Sequence, residues 1–364
     1  MFRFINTAAG RKLSNWRNFL KLCLITASLL LIIFFTACIP QSSAVNNIAA
    51  QPLAGTVRFA AIGDYGVSNS SELAVANLVR SWNPDFIITL GDNNYPDGAA
   101  STIDMRIGQY YHDYISPYTG SYTPGSTTNR FFPALGNHDW IASGALPYLN
   151  YFSLPNNERY YTFTQGAVEF FAMDSDSHEP DGISVTSAQA AWLHQRLTAS
   201  SATWKIVYFH HPPYSSGSTH GSNTALQWPF QQWGASAVLS GHEHNYERIL
   251  HDGIPYIVNG LGGNAVYSFG APVAGSQMRY NAANGAQLIE ANADQLTFQF
   301  YSVANGSTLV DTYTINALGS VTATPAATNT AIPNQTPTKT LTPTPIPTVT
   351  KTLTPTSTPI MGQC

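Results

Sequence analysis

Cysteine is almost absent from this chain of 364 residues. Its three cysteines are Cys23, Cys38 and Cys364, so the sequence between residues 39 and 363 contains none. This absence excludes an internal disulfide and a thiolate metal site from the part of the chain with a globular composition. That part must be held together by buried apolar surface, and at about 280 residues it is long enough to bury a core.

Charged residues are also scarce, at 10% of the chain, and they are unevenly distributed. Residues 1–38 carry five basic residues and residues 321–364 carry two, and neither segment has an acidic residue. The remaining segment therefore has nine basic residues against all 20 acidic ones, which is a net charge of −11. A region this acidic disfavours a nucleic-acid partner. It also contains all ten histidines, which points to metal or acid–base chemistry.

Only one long apolar run is present, at residues 22–35. It is too short for a membrane-spanning helix, which needs about 20 residues, but it suits the apolar core of a secretory signal behind a basic segment. The run ends in Phe35-Thr36-Ala37-Cys38, which resembles a bacterial lipobox. We therefore expect residues 1–38 to direct export and Cys38 to be lipidated, with ordinary secretion or an uncleaved N-terminal anchor as alternatives. All three place the remaining chain outside the cytoplasm, either attached to the membrane at the bacterial cell surface or secreted.

The C-terminal segment has a different composition from the rest of the chain. Threonine and proline dominate it, it has no aromatic residue, and residues 338–344 recur as residues 350–356. Such a segment buries too little apolar surface to offset the entropy of ordering. We predict a disordered tail at 319–364, acting as a spacer or, alternatively, as a glycosylated stalk or attachment segment. With a linker at 39–54, one folded domain remains at 55–318.

Five short apolar runs, each typical of a buried strand, are followed by residues that commonly bind metals. The segments that follow them are Gly63-Asp64-Tyr65-Gly66, Gly91-Asp92-Asn93-Asn94-Tyr95, Gly136-Asn137-His138-Asp139, His210-His211 and Gly241-His242-Glu243-His244. Helical patterns at 71–82, 187–197 and 222–233 alternate with the runs, which indicates an α/β sheet domain. Because ligands bind beyond the carboxyl ends of strands in such sheets, we expect these side chains to converge.

The residue types define the chemistry of the expected site. Carboxylate, phenolate, amide oxygen and imidazole donors suit iron, manganese and zinc. There are more donors than one ion needs, and seven would fit two ions about 3.5–4 Å apart, bridged by one carboxylate. In an extended segment His242 and His244 would face the same side and reach different ions, whereas alternation would turn His211 away from His210.

These motifs, in this order, resemble those of the calcineurin-like metallophosphoesterase superfamily, and within it the purple (tartrate-resistant) acid phosphatases. That family carries D-x-G, G-D-x-x-Y, G-N-H-[DE], V-x-x-H and G-H-x-H, and all five motifs are intact here within about residues 55–315. Other members of the superfamily carry D-x-H and G-D-x-x-[DN]. In this chain Gly66 replaces that histidine and Tyr95 fills the last position of the second motif. This paired difference is what makes the resemblance specific.

The resemblance implies a four-layer sandwich of two mixed β-sheets flanked by helices, and a dinuclear metal centre. The ligands it implies are, for the first metal, Asp64, Asp92, Tyr95 and His244, and for the second metal, Asp92, Asn137, His210 and His242. The tyrosinate implies Fe(III) in the first position, and the second ion would be divalent Fe, Zn or Mn. Further strands are expected at 254–259, 286–291, 296–301 and 308–315. The tyrosine-rich segment 93–128 is expected to form a lid or rim, or otherwise an ordinary surface loop.

By resemblance, the chain is an exported acid phosphatase that hydrolyses small phosphate monoesters by attack of a metal-activated hydroxide. His138 would bind the phosphoryl oxygen or protonate the leaving group. His220 is a second candidate for contact with substrate, or else a solvated loop residue, and Asp139 and Glu243 would orient neighbouring imidazoles. Two alternatives remain open. One is a phosphodiesterase or nucleotide hydrolase on the same metals, and the other is a surface-anchored binding protein with a structural metal site.

Overall fold

The computed structural model describes residues 55–317 and the backbone of residues 321–324. The export segment and linker predicted for residues 1–54, including Cys38, lie outside the described residues, as does most of the predicted tail. Those boundaries therefore stay predictions. Within the described part of the chain, no helix has both the length and the apolar character that crossing a membrane requires.

Strands make up most of the regular structure. They are β1 Val57–Ile62, β2 Phe86–Thr89, β3 Phe131–Pro133, β4 Tyr161–Gln165, β5 Val168–Ala172, β6 Trp204–Tyr208, β7 Ala237–Ser240, β8 Tyr246–His251, β9 Ile254–Asn259, β10 Ser276–Tyr280, β11 Gly285–Ala291, β12 Gln295–Ser302, β13 Thr308–Asn316 and β14 Val321–Thr324. The α-helices are α1 Ser70–Ser81, α2 Gln109–Tyr111, α3 Asn137–Ile141, α4 Leu146–Tyr151, α5 Ala188–Ala199 and α6 Phe230–Trp233. A π-helical turn, Asp104–Gly108, and a 3-10 turn, His112–Tyr114, flank α2.

The strands form two mixed sheets. The order in the first sheet is β14-β13-β12-β11-β1-β2-β3, and in the second it is β10-β8-β9-β7-β6-β5-β4. In the first sheet β1, β2 and β3 run parallel to one another. In the second sheet β5, β6, β7 and β9 are parallel. The parallel strands of each sheet therefore present their carboxyl ends at one edge.

Side-chain alternation along the strands builds a layered core. In β1, Phe59 and Ala61 enter an apolar cluster shared by the two sheets, whereas Ala60 and Ile62 face the helices on the outer side. In β6, Val207 packs on the outer side of the second sheet together with residues of α5. Because a strand turns successive side chains to opposite faces, each sheet is covered on both sides. The two mixed sheets and the helices outside them confirm the predicted four-layer sandwich.

Helix α1 shows how local sequence determines these elements. The Asn69 side chain caps it by accepting hydrogen bonds from the backbone N–H groups of Ser71 and Glu72. Arg80 lies in the last turn, where its charge favours the negative end of the helix dipole. The helix buries Val75 and Val79 against the first sheet. The segment predicted at 71–82 is thus found within one residue at each end.

Three expectations differ from the structure. Residues 103–115 form no lid, because Ile107, Tyr110 and Tyr111 are buried in the outer core of the first sheet. The helix expected at 222–233 is divided into a 3-10 turn, Thr224–Leu226, and α6. Pro229 lies between them and has no N–H group to continue a helix. Strand β14 pairs with β13 beyond residue 318, because an edge strand is held by backbone hydrogen bonds and needs little apolar bulk.

Candidate metal centre

The predicted metal ligands follow the carboxyl ends of parallel strands from both sheets. Asp64 follows β1, Asp92 follows β2 and Asn137 begins α3 after β3, whereas His210 and His242 follow β6 and β7. Backbone hydrogen bonds tie successive strand ends together. The Asp64 N–H donates to Gly91 O at 3.1 Å, and the Gly241 N–H donates to His210 O at 2.9 Å. The topology therefore brings five distant segments to one place.

Three of these residues have a left-handed backbone conformation. The φ angles are +57° at Asp64, +53° at Asp92 and +68° at His242. For a residue with a side chain this conformation costs about 1–2 kcal/mol. Such strain persists where the surrounding structure enforces it, and it is concentrated at functional sites. Here each strained residue is a predicted ligand that lies two or three residues beyond the end of its strand.

The four residues predicted for the first metal lie together around the Tyr95 hydroxyl. This oxygen lies 3.0 Å from Asp64 Oδ1, 2.8 Å from Asp92 Oδ2 and 3.2 Å from His244 Nε2. The His244 Nε2 atom is also 3.2 Å from Asp64 Oδ1. All four side chains are largely removed from solvent.

The four residues predicted for the second metal converge on His210 Nε2. That atom lies 3.1 Å from Asn137 Oδ1, 3.3 Å from Asp92 Oδ2 and 3.1 Å from His242 Nδ1. Asp92 Oδ2 therefore contacts both groups, at Tyr95 on one side and at His210 on the other. This is the position required of a bridging carboxylate.

Backbone groups orient both carboxylates. The His242 N–H donates to Asp64 Oδ2 at 2.8 Å, and the His138 N–H donates to Asp92 Oδ1 at 2.9 Å. One oxygen of each carboxylate is thereby held at the rim of the site. The other oxygen of each is left facing Tyr95.

Two imidazoles are oriented in a similar way. His210 Nδ1 lies 2.8 Å from Leu90 O, and His244 Nδ1 lies 2.7 Å from Ala265 O. Because a carbonyl oxygen only accepts, both Nδ1 atoms carry hydrogen, and Nε2 is the nitrogen left to face the site. This arrangement is the one that metal-binding histidines use to fix their tautomer.

The donor set fits bound cations. Oxygen and nitrogen donors bind a first-row metal ion at about 2.1 Å, which places neighbouring donors about 3.0–3.4 Å apart. The spacings above, from 2.8 to 3.3 Å, agree with that geometry. Two sets of three residues, Asp64 with Asp92 and His210, and His210 with His211 and His242, have ligand atoms close enough to hold an ion.

The electrostatics of the site also call for positive charge. Burial alone would lower the pKa of His210, but the carboxylates of Asp92 and Asp64 raise it to about 10. Burial and the same two carboxylates raise the pKa of Tyr95 well above its ordinary value. The protein alone thus holds a proton on His210 and the phenol proton on Tyr95. A bound cation would replace both.

His138 and His220 each lie beside a predicted metal ligand. The His138 ring packs 4.4 Å from the Tyr95 ring, with Nδ1 bonded to Pro96 O and Nε2 3.9 Å from Asp92 Oδ2. The His220 ring is exposed and lies 4.0 Å from the ring of His242. Both histidines therefore border the space where a ligand of the metals would bind.

The roles expected for Asp139 and Glu243 are wrong. Asp139 accepts hydrogen bonds from the backbone N–H groups of Asn93 and Gly136, and it caps α3. Glu243 Oε1 accepts from the N–H groups of His220 and Gly221. Each carboxylate therefore holds a loop, and within residues 55–317 neither has a hydrogen bond to an imidazole. Apart from Gly136, these backbone donors are distant in sequence from their acceptors, so motif spacing could not show them.

His211 is not turned away from the site, as alternation suggested. Strand β6 ends at Tyr208, so the extended geometry behind that expectation does not reach residue 211. The His211 ring lies 4.3 Å from the His242 ring and 5.0 Å from the His210 ring. The backbone at His242 is not extended either, although His242 and His244 do contact different groups of ligands.

Tyr267 belongs to the site and has no signature in the sequence. Its ring stacks on His244 with 3.9 Å between centroids and 12° between planes, and its N–H donates to His244 O at 2.8 Å. It lies in the loop between β9 and β10, which no motif marks. The stacking fixes the plane of the His244 ring.

The profile of the calcineurin-like phosphoesterase family matches residues 57–246, about half of the chain, and this chain belongs to that family. Tartrate-resistant acid phosphatase type 5 of the rabbit, Oryctolagus cuniculus, is 25% identical over 300 residues, which are 71% of this chain and 90% of that protein. Purple acid phosphatase 17 of Arabidopsis thaliana is 25% identical over 270 residues, 65% of this chain and 78% of that protein.

Among solved structures, purple acid phosphatase PPD1 from seeds of yellow lupin, Lupinus luteus, has the same fold. It superimposes with a TM-score of 0.57 at 17% identity, covering 73% of this chain and 55% of that one. The resemblance to purple acid phosphatases is thus confirmed. The chain is a hydrolase of the phosphoesterase family with side chains that could bind metal ions.

Proposed function

We propose that this protein is an exported acid phosphatase that hydrolyses phosphate monoesters at a centre containing Fe(III) and a divalent Fe, Zn or Mn ion. The observation that carries the proposal is the position of the Tyr95 hydroxyl, within 3.2 Å of Asp64, Asp92 and His244. A phenolate is a hard anionic donor, which favours a trivalent ion at this position.

The charge of such a centre suits a phosphate ester. Asp64, Asp92 and ionised Tyr95 bring three negative charges against the five positive charges of Fe(III) and a divalent ion. The remaining positive charge would attract a phosphate dianion locally, although the surrounding domain is acidic. When bound, the cations supply Lewis-acid activation of the ester and of water.

His138 is placed to handle the leaving group. Its Nδ1–H donates to Pro96 O, so Nε2 is the nitrogen available to the reaction. Nε2 carries a proton only when the ring is cationic, and in that form it can donate to the leaving alkoxide. Nε2 lies 3.9 Å from Asp92 Oδ2, beside the predicted metal ligands.

His220 is the second candidate for contact with substrate. Its exposed ring lies against His242, and Glu243 holds the N–H groups of His220 and Gly221. The loop that carries His220 is therefore tied to the motif that carries His242. This supports a contact between His220 and the phosphate or the leaving group.

Metal analysis combined with a visible spectrum tests the proposed centre. We expect one iron per chain in the first position, a second ion, and a broad tyrosinate-to-iron band that disappears in Tyr95→Phe. A matched control is Tyr267→Phe, which leaves the ring on His244 and should keep the band. Iron that binds without a band, or a band that survives in Tyr95→Phe, would refute the assignment.

The choice of reaction is tested by kinetics on p-nitrophenyl phosphate and its bis ester. A monoesterase should have the higher kcat/KM on the monoester, whereas a clear preference for the diester would favour the phosphodiesterase or nucleotide hydrolase. His138→Ala should reduce hydrolysis while both metals stay bound. Unchanged hydrolysis in that variant would exclude the role proposed for His138, whereas no hydrolysis by the metal-loaded wild type would favour a binding protein with a structural metal site.

Export and lipid attachment are part of the same proposal. They are supported by the basic segment, the apolar run at 22–35 and the lipobox-like residues ending at Cys38. Labelling with palmitate in the producing bacterium, together with globomycin treatment, tests them. Label that disappears in Cys38→Ser supports lipidation, and absence of label in the wild-type chain would leave secretion or an uncleaved anchor.

A further inference from the structure

A cavity of about 260 Å³ opens beside the second group of metal-binding residues. Three imidazoles line it, those of His211, His220 and His242, together with the polar segment 221–224. His242 and His220 already have roles in the proposed function. His211 does not, although one of its ring nitrogens lies within 4.8 Å of ring nitrogens of His210 and His242.

Ser175 holds His211 from behind. Its hydroxyl oxygen accepts a hydrogen bond from the His211 backbone N–H at 2.9 Å, and it lies 2.9 Å from His211 Nδ1. Ser175 follows strand β5, the neighbour of β6, and it is 1% exposed. A buried side chain therefore fixes both the backbone and the ring of His211.

The hydrogen-bond partners of Ser175 determine which nitrogen of His211 carries the hydrogen. The hydroxyl hydrogen needs an acceptor, because a buried donor without a partner is costly. Among the described residues, Nδ1 of His211 is the acceptor within reach. If the hydroxyl donates to Nδ1, the neutral ring carries its hydrogen on Nε2.

This tautomer gives His211 a definite chemistry. With Nδ1 occupied by Ser175, Nε2 is the nitrogen left for the cavity, and it is a hydrogen-bond donor. A metal ligand would instead need a lone pair on that atom. Anions with several oxygens, such as phosphate, are the ligands that a fixed N–H donor beside a metal centre recognises.

We propose that His211 is a substrate-binding residue whose Nε2–H donates to an oxygen of the phosphoryl group held beside His210 and His242, and that Ser175 is the positioning residue that fixes its tautomer. The inference rests on the proposed function only in that the site must bind a phosphoryl group. It needs no particular ester and no particular divalent ion.

Two substitutions of His211 separate the donor from the structural contact. In His211→Asn the amide lies near the position of Nδ1 and keeps a partner for Ser175, but nothing reaches the position of Nε2. In His211→Gln the longer side chain places an amide N–H near Nε2. Ser175→Ala removes the group that fixes the tautomer. His194→Gln is the matched control, because this exposed histidine of α5 stacks on Trp233 and has no role in the site.

The measurement is calorimetric titration of the metal-loaded proteins with inorganic phosphate, alongside metal analysis and an unfolding midpoint. We expect His211→Asn to weaken phosphate binding about tenfold or more, the usual loss for one hydrogen bond to a charged group. We expect His211→Gln to bind within about threefold of wild type, and Ser175→Ala to lie between the two. Metal content should be the same in all variants, and His194→Gln should match wild type.

Three results would overturn the proposal. Wild-type phosphate affinity in His211→Asn would show that no donor is needed. Equal losses in the Asn and Gln variants would show that the position of the N–H is irrelevant. Loss of a metal ion from either variant would make His211 a metal ligand. If the wild type binds phosphate but hydrolyses no ester, the proposed function fails while the phosphate titrations still decide the role of His211.

Discussion

Gly66→Ala is expected to damage the first metal position although residue 66 is not a ligand. A Cβ atom built on Gly66 would lie 1.8 Å from the carbonyl oxygen of Asn93 and 2.7 Å from the Asn94 nitrogen. An ordinary contact is about 3.4 Å, so the Asn93 carbonyl would have to retreat by more than 1 Å. Both obstacles are backbone atoms, which a change of rotamer cannot remove.

The displacement would reach Tyr95 directly. The Tyr95 N–H donates to Gly66 O at 2.8 Å, so the chain that leads into the ligand is in contact with residue 66. Overpacking of this kind costs about 1–3 kcal/mol, and we expect a value near the upper end, about 3 kcal/mol. For a domain of this size that corresponds to a fall of about 5 °C in the unfolding temperature. Metal sites tolerate displacements of only about 0.5 Å, so binding of the iron that we propose for the first position should weaken as well.

The assay is thermal unfolding together with iron content and the visible band of the purified protein. Gly270→Ala is the matched control, because its Cβ would meet Ser216 O at 3.5 Å, an ordinary contact. We expect the free energy of unfolding of this control to stay within about 0.5 kcal/mol of the wild-type value. If Gly66→Ala unfolds at the control temperature and keeps its band, close packing does not explain the glycine.

Two further predictions concern the metal-free protein and the junction between the sheets. His210 has a pKa of about 10 in the folded protein against about 6.5 unfolded, so its stabilising proton is fully present below pH 6.5 and is lost as the pH rises through 10. The unfolding free energy of chelated protein, measured with denaturant, should therefore fall between those pH values. The fall should be weaker in Asp92→Asn, and an equal fall in that variant would contradict the assignment. Asp311→Ala should lower the free energy of unfolding by about 3–5 kcal/mol, because Arg248 then stays buried without the carboxylate that lies 2.7 Å away. The exposed pair of Arg80 and Asp113 should contribute less than 1 kcal/mol to the same free energy. Similar losses in Asp311→Ala and Arg80→Ala would refute this.

The short apolar runs in the sequence predicted the strands that precede the five metal-ligand motifs. The first of the five apolar runs, which leads into Gly63 and Asp64, is strand β1, because an apolar run beside a glycine leaves few alternatives. Strand β8 was not predicted, since its interior contains Glu247 and Arg248. The structure shows why they are tolerated: Glu247 accepts hydrogen bonds from Ser216 and Ser276, and Arg248 pairs with Asp311 of the other sheet. Partners so far away in sequence cannot be inferred from periodicity.

The residues of the candidate site that belong to sequence motifs were predictable, and the other residues of the site were not. The seven expected ligands do converge, because their spacing relative to strand ends places them at one edge. His211 was misjudged, since its orientation depends on where β6 stops and on Ser175 from a neighbouring strand. Tyr267 and the role of Glu243 depend on loops whose path no local rule predicts.

The same close packing at Gly66 gives a physical reason for the paired difference from D-x-H members of the superfamily. A histidine at position 66 would need the space that the Asn93 and Asn94 backbone now fills. With glycine there, that backbone passes close to residue 66, and the next residue, Tyr95, enters the site with its hydroxyl 3.0 Å from Asp64 Oδ1. Glycine at position 66 and tyrosine at position 95 therefore depend on each other. Together they replace a neutral imidazole with a phenol that can become an anion. An additional negative charge in the first position would stabilise a trivalent ion more than a divalent one, which is the preference that the proposed Fe(III) centre requires.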